Sequence, residues 1–190
     1  MAKQMVLHLS SLPVRHPKVH LEMYACMAVI RLKRDSSSFQ QTLAIDHRPP
    51  KTNESNVLSC EINLEIISIS EKDLAKIPNT TNAHDITEKA AIVIMALLVS
   101  DLEKIQISSV LQIGSGGDYI VRMKKNDREV QVEVSGIDKG KASNSSSRLN
   151  EKSKQVLKKA DAGYVSVTTF RQRCGEGDIA HSYLHYVESK

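Results

Sequence analysis

Apolar positions change their period several times along the chain, and each change predicts an element. Over the first third they alternate or cluster in short runs. Val19 to Lys33 reads as a long strand, Thr42 to Asp46 as a short one, and Ser59 to Ser70 as another. Ile62, Leu64 and Ile66 share one side of that last strand. Asp46 to Asn56, which contains Pro49, Pro50 and Asn53, reads as a loop, and Glu71 to Ile77 as a helical turn. Pro78 to Asn82 marks a junction.

Beyond the junction the pattern turns helical. Asp85 is placed to cap a helix, with Glu88 three residues on as in a capping box. Ala90 to Val99 is apolar on every side, which predicts a buried helix ending near Asp101 to Lys104. Strands are then expected at Ile107 to Ile113, from Asp118 onward, and at Val130 to Ser135, with Lys124 to Arg128 as a hairpin turn. Gly136 to Ser147 reads as a long loop, Arg148 to Ala160 as a second helix, and Tyr164 to Phe170 and Ile179 to Val187 as closing strands. The expected fold class is α/β. An N-terminal antiparallel β layer occupies residues 1–78, and an α/β core occupies residues 83–190.

Size and composition narrow the setting. A chain of 190 residues can bury one sizeable core. Its longest apolar run, Ala90 to Val99, falls short of the ~18 residues of a membrane span, so no membrane partner is expected. The segment Met1 to His8 lacks the apolar region and cleavage site of a signal peptide. Cys26, Cys60 and Cys174 are widely spaced and form no CxxC pair, which fits reduced thiols and a cytoplasmic location. The formal charge is +4, unevenly spread: residues 121–160 hold 11 Lys and Arg against 5 Asp and Glu. A local basic surface of this kind suits a phosphate backbone, and it also suits a solvated helix face.

Two carboxylates stand out because they lie on apolar strand patterns. Asp118 follows Gly114-Ser115-Gly116-Gly117 and precedes Tyr119-Ile120-Val121, and Glu133 lies within Val130-Gln131-Val132-Glu133-Val134-Ser135. Strand alternation puts Glu133 and Ser135 on one side, opposite Val132 and Val134. Carboxylates brought together by neighbouring strands suit a hard divalent cation. The same alternation also permits an Asp in a turn and a Glu on a solvent-facing edge.

The order helix, three strands, helix, strand, with Asp118 on the second strand and Glu133-Val134-Ser135 on the third, resembles the PD-(D/E)xK nuclease superfamily. The resemblance covers roughly residues 83–170. It implies a restriction-endonuclease-like αβββαβ core and a Mg²⁺- or Mn²⁺-dependent nuclease cleaving a phosphodiester of DNA or RNA, with Asp118 and Glu133 as metal ligands. The superfamily usually has Glu-x-Lys where this chain has Glu-x-Ser, and Ser135 supplies no positive charge.

A substitute is expected on the second helix. Arg148, Lys152, Gln155 and Lys159 form one stripe, opposite a packing face of Leu149, Ser153, Val156, Leu157 and Ala160. Lys152 is the candidate for the displaced lysine, and Arg148, Gln155 and Lys159 are candidate nucleic-acid contacts. Glu88 is an accessory carboxylate candidate or a capping residue. Gly114, Gly116 and Gly117 form no phosphate-binding loop, because no GxxxxGKS follows and a strand comes next. His181 and His185 lie about 13 Å apart if extended, too far to chelate one ion easily. The alternative left open is a catalytically inactive nuclease-fold subunit that binds nucleic acid or a protein partner in a bacterial complex, including one directed against foreign DNA. Exposed strand edges would also allow a homo-oligomer.

Overall fold

The computed structural model describes residues 5–33, 38–65, 70–111, 118–123, 128–174 and 177–189. The elements in chain order are β1 (Met5–His8), a 3₁₀ turn (Leu9–Ser11), α1 (Leu12–Arg15), α2 (Glu22–Lys33), β2 (Gln40–Arg48) and β3 (Asn56–Asn63). They continue with α3 (Glu71–Leu74), α4 (Ile77–Thr80), α5 (Ala83–Leu102), β4 (Ile105–Val110) and β5 (Tyr119–Met123). The chain closes with β6 (Glu129–Gly140), α6 (Ala142–Lys159), β7 (Ala162–Cys174) and β8 (Gly177–Glu188). The strands form one mixed sheet in the order β1-β3-β2-β8-β7-β6-β5-β4. The pairs β1/β3, β2/β8 and β6/β7 are parallel, and the other four are antiparallel.

That topology corrects the expected N-terminal antiparallel layer. Strands β1 to β3 join β8 through β2, with Leu43 opposite Ala180, so they form the outer part of the same sheet. The stretch Val19 to Lys33, expected as a strand, is helix α2 from Glu22 onward. Ala25, Cys26, Met27, Ala28, Val29 and Leu32 are all buried, and the helix packs against α5. A helix enclosed on several sides shows no amphipathic stripe, and its apolar run is then indistinguishable from a buried strand.

Helix α5 is the centre of the core. Its cap is Asn82, whose Oδ1 accepts from the Asp85 N–H at 2.8 Å, so the cap lies three residues before the expected one. Asp85 returns the contact, accepting from Asn82 Nδ2 at 2.7 Å. Val93 to Val99 are all buried, as their all-round apolarity predicts. His16 wedges in beside the helix. Its Nδ1 accepts from the Ile107 N–H at 3.0 Å, so its Nε2 donates to the Ala96 carbonyl at 2.8 Å. Burial lowers its pKa, and the imidazole is a neutral structural bridge.

The two faces of the sheet are covered differently. Val130, Val132, Val134, Tyr164, Phe170, Leu184 and Tyr186 belong to the main core with α2 and α5. Val165, Val167 and Tyr183 lie on the opposite face, in a smaller core with Leu149 and Val156 of α6. Glu133 and Ser135 alternate with Val132 and Val134 and therefore point to the α6 side. Where α5 crosses β6 the approach is very tight: a Cβ on Gly136 would lie 2.5 Å from the Thr87 carbonyl oxygen. Gly136 is thus a packing glycine inside a strand. The expected loop over residues 136–147 is instead the end of β6 and the first turns of α6, where Asn144 Oδ1 accepts from the Lys141 N–H at 2.8 Å.

The thiols and helices also bear on function. Cys26 and Cys60 are buried free thiols, and burial pushes Cys60 up to about 12, which leaves it unreactive at neutral pH. No helix among the described residues is long and apolar enough to cross a membrane.

Candidate carboxylate and lysine site

Asp118 stands just before β5 and is held by three hydrogen bonds. Its N–H donates to the Val132 carbonyl and its own carbonyl accepts from the Leu111 N–H, both at 2.9 Å. Its side-chain Oδ2 accepts from the Val134 N–H at 2.7 Å, taking the place of a ladder partner at the end of the β5–β6 pairing. The register Tyr119 to Val132 puts Asp118 across from the backbone that carries Glu133.

Glu133 is buried in mid-strand, and Lys152 of α6 reaches down to it with Nζ 2.5 Å from Oε1. Their side chains are only 8% and 17% exposed, so the pair is shielded from solvent screening. Burial raises the Glu133 pKa above its ordinary value, opposed by the Lys152 hydrogen bond and reinforced by the Asp118 charge. Asp118 is also raised by burial, with the Val134 N–H and Lys152 pulling it down and Glu88 pushing it up. Two carboxylates and an ammonium thus act on one another across three elements.

The remaining candidates divide. Ser135 is buried beside Glu133 on the same face. Glu88 is half-exposed on α5, 3.4 Å from His84, and acts on Asp118 through its charge. Lys159 is exposed, and its charge lowers the Glu133 pKa. Arg148 turns to Glu151 at 3.0 Å, and Gln155 Nε2 donates to the same residue at 3.4 Å, so both engage the surface of their own helix. The glycines at 114, 116 and 117 lie outside the described residues, as do positions 124–127 of the expected turn.

His181 and His185 serve separate contacts. His185 Nε2 lies 2.7 Å from Asp46 Oδ1 of β2, and burial lowers its pKa. Gln172 uses its Oε1 to accept from Ser145, so its Nε2 donates to His181 Nδ1 at 2.8 Å. His181 stacks on Tyr183 at 4.6 Å. Sequence reading did not find the Asp46–His185 pair, nor the cluster in which His47 meets Glu103 at 2.5 Å and Tyr164 donates to Glu103 at 3.1 Å. Partners separated by 139 and 56 positions leave no local signal.

The donor set suits a hard cation in part. Asp118 Oδ2 and Glu133 Oε1 are committed, which leaves Asp118 Oδ1 and Glu133 Oε2 without a hydrogen-bond partner among the described residues. Among the described residues no three His, Cys, Asp or Glu side chains form a group that would hold a metal ion. An ion here would therefore draw the rest of its shell from water and substrate oxygens, as Mg²⁺ commonly does. Comparison with family models, curated proteins and solved structures returns no match to the chain.

Proposed function

We propose that this protein is a metal-dependent nuclease acting on a phosphodiester of DNA or RNA. The observation that carries the reading is Lys152, which arrives from α6 to stand 2.5 Å from Glu133, while its charge also bears on Asp118. A cation is thereby supplied where Ser135 provides none. The element order α5-β4-β5-β6-α6-β7, with β6 parallel to β7 and the two helices on opposite faces, supports a restriction-endonuclease-like core.

Asp118 Oδ1 and Glu133 Oε2 are the oxygens that would hold Mg²⁺ or Mn²⁺. When bound, the ion supplies Lewis acidity for a phosphodiester oxygen and lowers the pKa of a water. Lys152 lowers the Glu133 pKa against the effect of burial and places a positive charge where a water or phosphate oxygen would be held. The Val134 N–H fixes the Asp118 carboxylate so that one oxygen stays aimed away from the ladder.

A second reading, a nuclease-fold subunit that binds without cleaving, is favoured by the same short contact, since Lys152 occupies one oxygen of the carboxylate a metal needs. Cleavage of single- and double-stranded DNA and RNA with Mg²⁺ or Mn²⁺ separates the two. The nuclease reading expects activity that falls on the order of 100-fold or more in Asp118→Ala, Glu133→Ala and Lys152→Met. Activity that survives Asp118→Ala and Glu133→Ala would place catalysis elsewhere, and no cleavage by the intact chain would leave the binding subunit.

A further inference from the structure

The positive charge of this molecule is concentrated at one element and its N-terminal approach. Helix α6 carries Arg148, Lys152, Lys154, Lys158 and Lys159 against Glu151, a net of +4 that equals the formal charge of the whole chain. At the start of the helix lies a groove of about 460 Å³, where Lys139 from the end of β6, Lys141 before α6 and Arg173 from the end of β7 come together with Ser143 and Asn144. The parallel register of β6 and β7, with Gly140 opposite Gln172, brings these three cations to one place. No carboxylate among the described residues lines the groove. At a second pocket the basic side chains stand against carboxylates: Arg31 and Arg171 share Asp138, and Lys33 meets Glu71 at 3.0 Å.

We propose that this groove anchors a phosphate of a nucleic-acid strand whose continuation passes Lys152 and Glu133. The inference deepens the nuclease-fold reading and rests on nucleic acid being the partner. Lys152 follows Lys141 by eleven residues, about 16 Å along the helix axis and nearly the same direction around it. That distance corresponds to about five phosphates of one strand of a duplex. Lys and Arg give the charge, and Ser143 and Asn144 add hydrogen-bonding groups of the kind that contact phosphate oxygens.

The test is binding of the full-length chain to fluorescent 20-nucleotide DNA and RNA, single-stranded and duplex, in EDTA across a salt series. The groove pair Lys141→Glu with Arg173→Glu is compared with Lys18→Glu and Lys51→Glu, exposed lysines outside the groove carrying the same charge change. A neutral groove pair, Lys141→Gln with Arg173→Gln, guards against misfolding. The groove variants should weaken binding about 10-fold or more. They should also flatten the slope of log affinity against log salt by roughly 1.4 for single strands and 1.8 for duplex. Equal weakening by the groove and control pairs would overturn the anchor. So would equally tight, groove-dependent binding of polyglutamate or of anionic lipid vesicles. Catalysis fails separately: groove-dependent binding without cleavage keeps the anchor and removes the nuclease. Cleavage that needs Asp118 but ignores the groove pair does the reverse.

Discussion

Asp118 and Glu133 are both carboxylates whose burial works against their charge, and this has a consequence for stability. The folded-state pKa of Asp118 lies above its unfolded value, so the folded state binds the proton more tightly. Its contribution to stability is then greatest below the unfolded value near 3.8 and falls as pH rises through the folded one. Asp118→Asn keeps an oxygen for the Val134 N–H and removes the buried charge. It should therefore raise Tm at pH 7, with the gain shrinking as pH is lowered toward 4, while nuclease activity is lost. A variant less stable than wild type at pH 7 would show that the charge is fully compensated where it stands. At this scale strand alternation already placed Glu133 with Ser135 on one side, opposite Val132 and Val134, and the structure shows that side to face α6. Alternation gave no access to Lys152, because the approach of a lysine depends on how far α6 sits above β6. Arg148 and Gln155 share the stripe with Lys152, yet they meet Glu151, and that choice among rotamers is settled by neighbours along the helix.

Elements were legible where local chemistry and burial agreed. Helix α5 is visible in its apolar run, but the sequence points to Asp85 as its cap where the structure uses Asn82. Asn and Asp are both good caps, and which one acts depends on where the preceding chain turns. Asn82→Ala should cost about 1 kcal/mol in urea denaturation with the m-value unchanged. Gly136→Ala is expected to be worse, about 1–3 kcal/mol or more, since its methyl group meets the backbone of Thr87 and neither element can yield. A neutral Gly136→Ala would mean that α5 can lift away from β6. The same close crossing explains the misread loop, because a glycine needed for packing looks in sequence like one needed for a turn. In α2 the failure was of another kind: contacts on several sides erased the periodicity that separates helix from strand.

The whole molecule is held by a sheet that ignores the division at residues 78–83. Strand β2 pairs with β8, α2 packs on α5, and the hydrogen-bonded pairs His47–Glu103 and His185–Asp46 join the two parts on adjacent residues of β2. A fragment of residues 83–190 would expose the edge of β8 and the α2-facing side of α5. It is expected to lose cooperative unfolding and to bind a hydrophobic dye. A sharp thermal transition for that fragment would restore an independent core. By itself, the sequence determined the α/β class, the buried helix, the basic second helix and the place of Glu133 on a strand, because those rest on period, charge and residue type within short windows. Tertiary structure alone decided that one sheet unites both parts, that Gly136 lies under α5, and that Lys152 closes on Glu133. Each of those depends on packing between segments distant in the chain, where no local pattern carries the distance.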